Sequence, residues 1–389
     1  MQSSDVIVIG AGVGGLAAAL SLLRAGQKVR LYEQVYSLGE VGAGLTITPN
    51  AGKALLYLGL GDALRAMGST PPAGVMRHFS SGKILLHMPQ DKSEEKYGVP
   101  LYHVHRADLH NALRSAVYAL DPTCIRTGMA LESLDSHTDG VRLRLQGGQE
   151  TTADWLVAAD GIHSRARSEL FGSDKPNFTG YVAWRGLIPG ELVTPDLMNP
   201  PLCMTVGPRR MLMRYPLRRG SVVNFVAVAQ RTTWTAEGWS VRSELSELMA
   251  EFHDFEPHTK KLLELTPPDR LFKWGLFDRD PMPTWIHGST ILIGDAAHAM
   301  PPFTGQGAVM ALEDGAVIGR AALLSSTPAE AIHRFEKSRY ARVNAALAMS
   351  RGRAELYFSE DPLQQVRRMG LSMAELRTTY DYDSGNVRI

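Results

Sequence analysis

The sequence predicts an α/β fold: a parallel sheet, an inserted and mostly antiparallel sheet, and closing C-terminal helices. Three observations predict it. A β-branched run at the N-terminus leads into a Gly-rich turn and a helical stretch. A second strand–loop–helix pattern lies far downstream, from Thr290 to Ala308. Between them, from about residue 176 to 267, apolar and polar residues alternate between turn signals.

The first strand is Asp5 to Ile9 (DVIVI), suited to burial on both faces. Gly10 to Gly15 (GAGVGG) follows, then a helix from Leu16 to Ala25, ended by Gly26. Lys28 to Tyr32 is the second strand and Glu33 closes it, which completes a right-handed βαβ unit. In the Gly10-x-Gly12-x-x-Gly15 turn, Gly10 permits the tight bend and Gly12 lets the backbone approach a pyrophosphate. Gly15 lets helix and strand pack closely, and the helix N-terminus faces the phosphates. A carboxylate at Glu33 can accept hydrogen bonds from ribose hydroxyls and repels a 2′-phosphate. This Rossmann-like loop alone does not separate NAD from FAD.

In the middle segment, Arg210 to Tyr215 and Ser221 to Gln230 read as strands. The turns are Gly207-Pro208 and Arg218-Arg219-Gly220. Thr290 to Ile293 returns to a buried parallel-type strand, and the pattern is then helical to about Phe358. In the last long helix Ile332, Phe335, Val343 and Leu347 share a face. Arg334, Lys337 and Arg342 lie elsewhere and read as a solvated face. The nucleotide-binding domain is therefore expected at 1–70, 100–175 and 268–330, with the substrate domain at 71–99 and 176–267. A helical segment at 331–389 completes the chain.

Composition sets limits. The 389 residues are 44% hydrophobic, and 41 Lys plus Arg against 40 Asp plus Glu leave a net charge of +1. That balance argues against a nucleic-acid binder. Two cysteines, Cys124 and Cys203, are too few for a disulfide scaffold or a cysteine metal site and read as reduced core thiols. No His, carboxylate or Cys cluster has metal-ligand spacing, so no metal is expected. No run reaches the length of a membrane span. Val6 to Leu23 is largely apolar but lacks a basic segment before it, holds four glycines and runs straight into Arg24, so it reads as strand and helix rather than as a signal peptide. A cytoplasmic protein without membrane partners, monomeric or homodimeric, is the expectation.

The downstream pattern, ILIGDAAHAMPPFTGQGA, ends a strand in Gly294-Asp295 and opens a helix at Gly305-Gln306-Gly307. Asp295 can bind ribityl or ribose hydroxyls. The N–H groups near Gly307 and Ala308 would face the pyrimidine end of a flavin, where the dipole favours the anionic reduced form. A second nucleotide-binding element this far from the first suits FAD, which is long and binds extended.

With Asp160-Gly161 in VAADGIHSRAR, these fingerprints resemble those of the single-component flavoprotein aromatic hydroxylases, the class A flavin monooxygenases. They stand in the family's order and span most of the chain. The resemblance implies a glutathione-reductase-type FAD-binding domain with non-covalent FAD, NAD(P)H as transient co-substrate, and O2. The activity it implies is hydroxylation of a small aromatic or N-heteroaromatic ring through a flavin hydroperoxide. Besides Gly10, Gly12, Gly15 and Glu33, it places Gly14, Gln34, Arg106 (in HRADLH) and Leu131 on FAD. It gives Asp160-Gly161 to both FAD and the pyridine nucleotide, and sets Pro302 beside the flavin's reactive face. His298 reads more readily as a structural hydrogen-bonding residue than as a catalytic one. Within the family, GAGLTITPN (Gly42 to Asn50), YVAWRG (Tyr181 to Gly186), Tyr215-Pro216-Leu217-Arg218 and Tyr380-Asp381-Tyr382-Asp383 are similar to the salicylate, 3-hydroxybenzoate and 6-hydroxynicotinate hydroxylases.

One departure stands out. These relatives usually place a histidine four residues before the tyrosine matching Tyr215, and this chain has Met211. Two further pocket histidines of the 6-hydroxynicotinate hydroxylases align with Thr46 and Phe303. Met211, Met213 and Tyr215 share one strand face, either as sheet core or, by the alignment to Tyr215, as the pocket. On the second reading Thr46, Met211, Met213, Tyr215 and Phe303 line the substrate site, Tyr215 orients the substrate by donating a hydrogen bond, and the substrate arrives already electron-rich or ionised. A flavin-dependent dehydrogenase or reductase of the same fold would turn over without oxygen. A non-catalytic FAD- or ligand-binding protein would show no ligand-stimulated NAD(P)H oxidation. The Pro301 to Ala308 loop argues against both.

Overall fold

In the computed structural model, which describes residues 3–39, 43–89, 92–234, 241–364, 366 and 378–389, Val6, Ile7, Val8 and Ile9 are all buried at the centre of a six-stranded sheet. Their strand, Asp5–Ile9, lies between Lys28–Tyr32 and Trp155–Ala158 and is parallel to both. Thr290–Leu292 extends the sheet beyond Trp155–Ala158, again in parallel, and Ile125–Arg126 extends the other side. Two-sided burial explains why these strands are nearly continuous runs of Val, Ile, Leu and Ala.

The helix Val13–Arg24 starts three residues before the sequence reading placed it, directly after Gly12. It packs along the helix Gly307–Leu323, so the two Gly-rich loops stand side by side although they lie far apart in sequence. Gly10 has φ +94°, and a Cβ on Gly15 would sit 1.9 Å from the Gly10 carbonyl oxygen. Both positions therefore require glycine.

The eight-stranded sheet runs in the order Val241–Arg242, Leu271–Asp278, Asn177–Pro189, Val222–Gln230, Arg210–Leu217, Leu202–Gly207, Ala73–His78, Ile84–Pro89. Every neighbouring pair is antiparallel except Leu202–Gly207 with Ala73–His78. The segments 71–99 and 176–267 thus meet in one sheet. Leu271–Asp278 joins them as well, beyond the expected boundary at 267, because it pairs with Asn177–Pro189. Phe225, Ala227 and Leu212 on one face pack against Leu248, Phe252, Leu262 and Leu263 of two covering helices. The other face carries Met211, Val228, Ala183 and Met204, packed on Phe303 and on Ala354, Tyr357 and Phe358 at the end of the long helix Pro328–Tyr357. A three-stranded sheet, Leu131–His137, Gly140–Leu145 and Gln149–Ala153, had no counterpart in the sequence reading.

The basic residues of the long helix are not a solvated face as expected. Lys337 is exposed, but Arg342 binds the buried Glu313 carboxylate at 2.7 and 2.8 Å, and Arg334 binds Glu330, Ser325 and the Ile389 carbonyl. Cys124 and Cys203 are buried free thiols, as expected. Burial pushes Cys124 up to about 12 and also raises Cys203. No described helix is long and apolar enough to cross a membrane.

Candidate functional site

The site begins where the two loops meet. A Cβ built on Gly12 would touch none of the described residues within 4 Å, which leaves room for a phosphate before the helix Val13–Arg24. Glu33 is fixed at the end of its strand: Oε2 accepts from Ala11 N–H at 2.7 Å and Oε1 from Val35 N–H at 3.0 Å. Carboxylate lone pairs remain for ribose hydroxyls. Gln34 is exposed beside it and Leu131 is half-buried. Gly14 faces the side chain of Ala311 rather than the open space.

Asp295 opens the short helix Asp295–His298. Burial raises its pKa, opposed by His298 and Arg106, so Arg106 and Asp295 belong to one electrostatic neighbourhood. The residues present thus fit an extended dinucleotide: open loop, ribose-type carboxylate, and a second carboxylate with a nearby guanidinium. Asp160 is engaged within its own turn. Its Oδ1 accepts from the Ser164 hydroxyl at 2.6 Å and its Oδ2 from Ala166 N–H at 3.0 Å, so both oxygens brace the start of the helix Arg165–Phe171. Gly161, at φ +78°, follows in the turn.

Beneath Gly294 lies a buried charge network. Asp314 Oδ2 accepts from Gly294 N–H at 3.0 Å and from His298 Nε2 at 2.7 Å, while Oδ1 accepts from Arg339 Nε at 2.8 Å. Arg339 also binds Glu313, and Glu313 accepts from Asn50 Nδ2 at 2.7 Å. Asn50 reaches Gln306, the residue that precedes the helix Gly307–Leu323. Ser350 donates to the Pro301 carbonyl. The loop carrying Pro302, Phe303, Gly307 and Ala308 is therefore held from three sides. Pro302 is exposed and starts a short 3-10 turn, and Phe303 is buried. His298 makes the kind of buried hydrogen bond expected of it.

On the sheet, Met211 and Phe303 belong to one apolar cluster, and Met213 packs against both this cluster and Tyr215. Tyr215 is 4% exposed. Burial pushes its phenol far above the ordinary value. Four of the five pocket residues read from the sequence, Met211, Met213, Tyr215 and Phe303, thus form a continuous group. Gly42 of the quoted GAGLTITPN segment lies outside the described residues.

Two neighbours of Tyr215 escaped the sequence reading. Asn224 is its cross-strand partner, fully buried, and Asn224 Oδ1 accepts from Gly44 N–H at 2.8 Å. His103 stacks on the Tyr215 ring with centroids 4.2 Å apart and planes 21° apart. It is the cross-strand partner of Thr46, with Nδ1 3.2 Å from Thr46 Oγ1. Desolvation lowers His103 to about 3, so it is neutral near pH 7. Beside this group a cleft of about 250 Å³ is lined by residues that include Ala43, Arg185, Leu187, Arg218, Asn224 and Arg270. Arg218 is paired with Asp108 through two hydrogen bonds.

Comparison with known proteins extends this geometry. The family described as FAD binding domain matches residues 3–350. The 3-amino-4-hydroxybenzoate 2-monooxygenase PtmB3 of Streptomyces platensis is 35% identical over 98% of this chain and 95% of its own length. The 6-hydroxynicotinate 3-monooxygenase of Pseudomonas fluorescens is 33% identical over 93% of this chain and 94% of its own. Among solved structures, Klebsiella pneumoniae HpxO complexed with FAD and uric acid superimposes with a TM-score of 0.86 at 26% identity, covering 98% of this chain and 96% of that one. A salicylate hydroxylase substrate complex gives 0.84 at 27% identity, with the same coverage of the two chains.

Proposed function

The chain belongs to the FAD-binding-domain family of flavoprotein aromatic monooxygenases, and from that premise we propose that it hydroxylates a small aromatic or N-heteroaromatic ring, with NAD(P)H as electron donor and O2 as oxygen source. FAD is the cofactor of this family, and when bound it stores the electrons and activates the oxygen. The division of labour among the chain's own residues is read as follows. The Gly10–Gly15 loop takes the pyrophosphate and Glu33 the adenosine ribose. Asp295, with Arg106 nearby, binds the ribityl side. The N–H groups at Gly307 and Ala308 face the far end of the flavin, and Pro302 lies beside the ring. Asp160 and Gly161 act by shaping their turn, and the pyridine nucleotide binds transiently.

Substrate is assigned to the sheet face carrying Met211, Met213 and Tyr215. Met211, Met213 and Phe303 exclude water, and Tyr215 orients the ring through its hydroxyl. The observation that carries the reading is the contact of Met211 with the Phe303 cluster, which brings the sheet face to the loop of the second fingerprint. Three side chains of the face supply no base near pH 7: Met211 takes no proton, His103 is held down at about 3, and the Tyr215 phenol is pushed up. The reading therefore favours rings that arrive electron-rich or ionised, such as hydroxylated N-heteroaromatics and aminophenol-like carboxylates.

The test is a substrate screen on the purified yellow protein. NADH and NADPH oxidation are followed with phenols, hydroxypyridines, hydroxyquinolines and their carboxylates, and products are identified by mass. Stimulated oxidation with a hydroxylated product supports the reading. Turnover that needs no oxygen would assign a dehydrogenase instead. No stimulation by any ring would leave a binding protein.

A further inference from the structure

The cleft of about 250 Å³ beside the Tyr215 group is polar from its floor to its rim. Asn224 stands on the floor, fully buried. Its Oδ1 accepts from Gly44 N–H, while its Nδ2 is buried without a partner among the described residues. A buried amide N–H with nothing to donate to is costly unless a ligand supplies the acceptor. Leu187 is the cross-strand partner of Asn224, so Arg185, two residues earlier, shares its sheet face. Arg185 is 8% exposed, and its guanidinium rests 5.0 Å from the centre of the Trp274 ring. Arg218 and Arg270 are exposed and form the rim.

The rim is built, not incidental. Arg218 has φ +47° and Arg219 φ +57°, in the left-handed region that residues with a side chain seldom take. Asp108 accepts from Arg218 Nε at 2.8 Å and from Nη2 at 2.6 Å, which leaves the two N–H groups of Nη1 for another acceptor. Arg270 ends the turn Pro268–Arg270, beside Asp269. His105 also lines the cleft, and burial and Arg218 lower its pKa. Three guanidiniums thus face the carboxylates of Asp269 and Asp108, which leaves the cleft positive. Ala43, at the cleft wall, leads into the strand Gly44–Ile47. Thr48, directly after that strand, accepts from Gln306 Nε2 at 3.3 Å, and Gln306 precedes the helix Gly307–Leu323. One short strand therefore joins the cleft to the loop assigned to the flavin.

A ligand with a neutral acceptor at one end and phosphates at the other matches this order of groups. A ring carboxylate would meet Arg185 but leave the rim pair unused. We propose that the cleft is the docking site of the pyridine nucleotide, with the nicotinamide carboxamide oxygen at Asn224 Nδ2 and the phosphates at Arg218 and Arg270. The inference rests on the reading of NAD(P)H as the electron donor. At about 250 Å³, below the usual size of a small-molecule pocket, the cleft takes the nicotinamide half and leaves the adenosine half outside. Guanidiniums hold phosphates well, but at an exposed rim salt screens them, so the nucleotide comes and goes while FAD stays.

The test titrates the FAD-loaded enzyme by calorimetry with tetrahydro-NADH and tetrahydro-NADPH, analogues that cannot give up hydride, at low and high salt. Benzoate is titrated in parallel as a ring carboxylate. The wild type should bind at least one analogue, and more weakly as salt rises. Arg270→Glu and Arg218→Gln should each weaken that binding by about three- to tenfold and flatten its salt dependence, with benzoate binding and FAD content unchanged. Arg270 is exposed, so its variant serves if the Arg218 variant does not fold. Benzoate binding weakened by the same variants would make the cleft a site for the carboxylate of the ring, and overturns the inference. NADH and NADPH are also added to the wild type without oxygen. If neither bleaches the flavin, the reading of the electron donor fails and the inference with it. Bleaching without analogue binding, or with variants that bind the analogues as the wild type does, removes the inference alone.

Discussion

His298 and Asp314 form a buried pair, Nε2 to Oδ2 at 2.7 Å, and the same oxygen accepts the Gly294 N–H. The pair joins the Gly294-Asp295 turn to the helix Gly307–Leu323, the two parts of the second fingerprint. Arg339 and Glu313 extend it to the long C-terminal helix. The geometry of the second fingerprint thus depends on buried charges.

Acid should loosen this joint. Burial alone would raise the Asp314 pKa, but His298 and Arg339 outweigh it and bring the carboxyl to about 2, against an ordinary 3.8. A folded-state pKa below the unfolded value gives stabilisation that is complete above about pH 4 and lost as the pH falls towards 2. Asp314→Asn should lower stability at neutral pH by about 3–5 kcal/mol, because Arg339 loses a buried partner. It should also remove part of the acid sensitivity between about pH 4 and 2. Thermal denaturation of both proteins across that range checks this.

Asp295→Ala should leave the fold intact and weaken FAD binding by about 1–3 kcal/mol, roughly five- to 150-fold, by loss of a hydrogen bond to a buried hydroxyl. Flavin fluorescence on dilution measures it. Acid precipitation of wild-type protein should release all the flavin, and yellow colour left in the pellet would contradict non-covalent binding.

Both fingerprints were legible in the sequence because they are backbone requirements. Gly10 must take φ +94° and Gly15 must meet the Gly10 carbonyl, so the spacing survives in the string. The strand face of Met211, Met213 and Tyr215 was legible because strand periodicity is fixed. His103 was not, since its meeting with Tyr215 depends on pairing Gly44–Ile47 with Tyr102–His105, a register that no local pattern specifies. The burial of Arg339 and Arg342 was likewise hidden, because a basic helix face reads as solvated until its partner is known. One signal was available: Glu313-Asp314 are adjacent acids inside the mostly apolar helix GAVMALEDGAVIGRAAL, and such a pair needs buried cations.

Gly15→Ala tests the close approach of helix and strand. The new Cβ would sit 1.9 Å from the Gly10 oxygen and 3.3 Å from the Ala159 Cβ. The helix must shift, at a cost of about 1–3 kcal/mol, and the loop then no longer fits a pyrophosphate. The variant should purify with little FAD and a lowered Tm. Full flavin content would contradict the role given to the loop.

Met211→His restores the residue usual in the relatives at this position. Here it enters an apolar cluster that includes Phe303, Phe358, Val228 and Met204. It should bring little or no gain in product formed per NAD(P)H consumed. A several-fold gain, with a pH profile controlled near 7, would show that the native site works for want of a base.

The central claim is that one atom of dioxygen enters the ring of a substrate held against Tyr215. The most direct measurement is product mass after turnover under isotopically heavy dioxygen in ordinary water, using the best ring from the screen. The account predicts one heavy oxygen atom in the hydroxylated product, and a Tyr215→Phe variant that consumes NAD(P)H with less product. Product oxygen drawn from water, or full turnover in the absence of dioxygen, would contradict it.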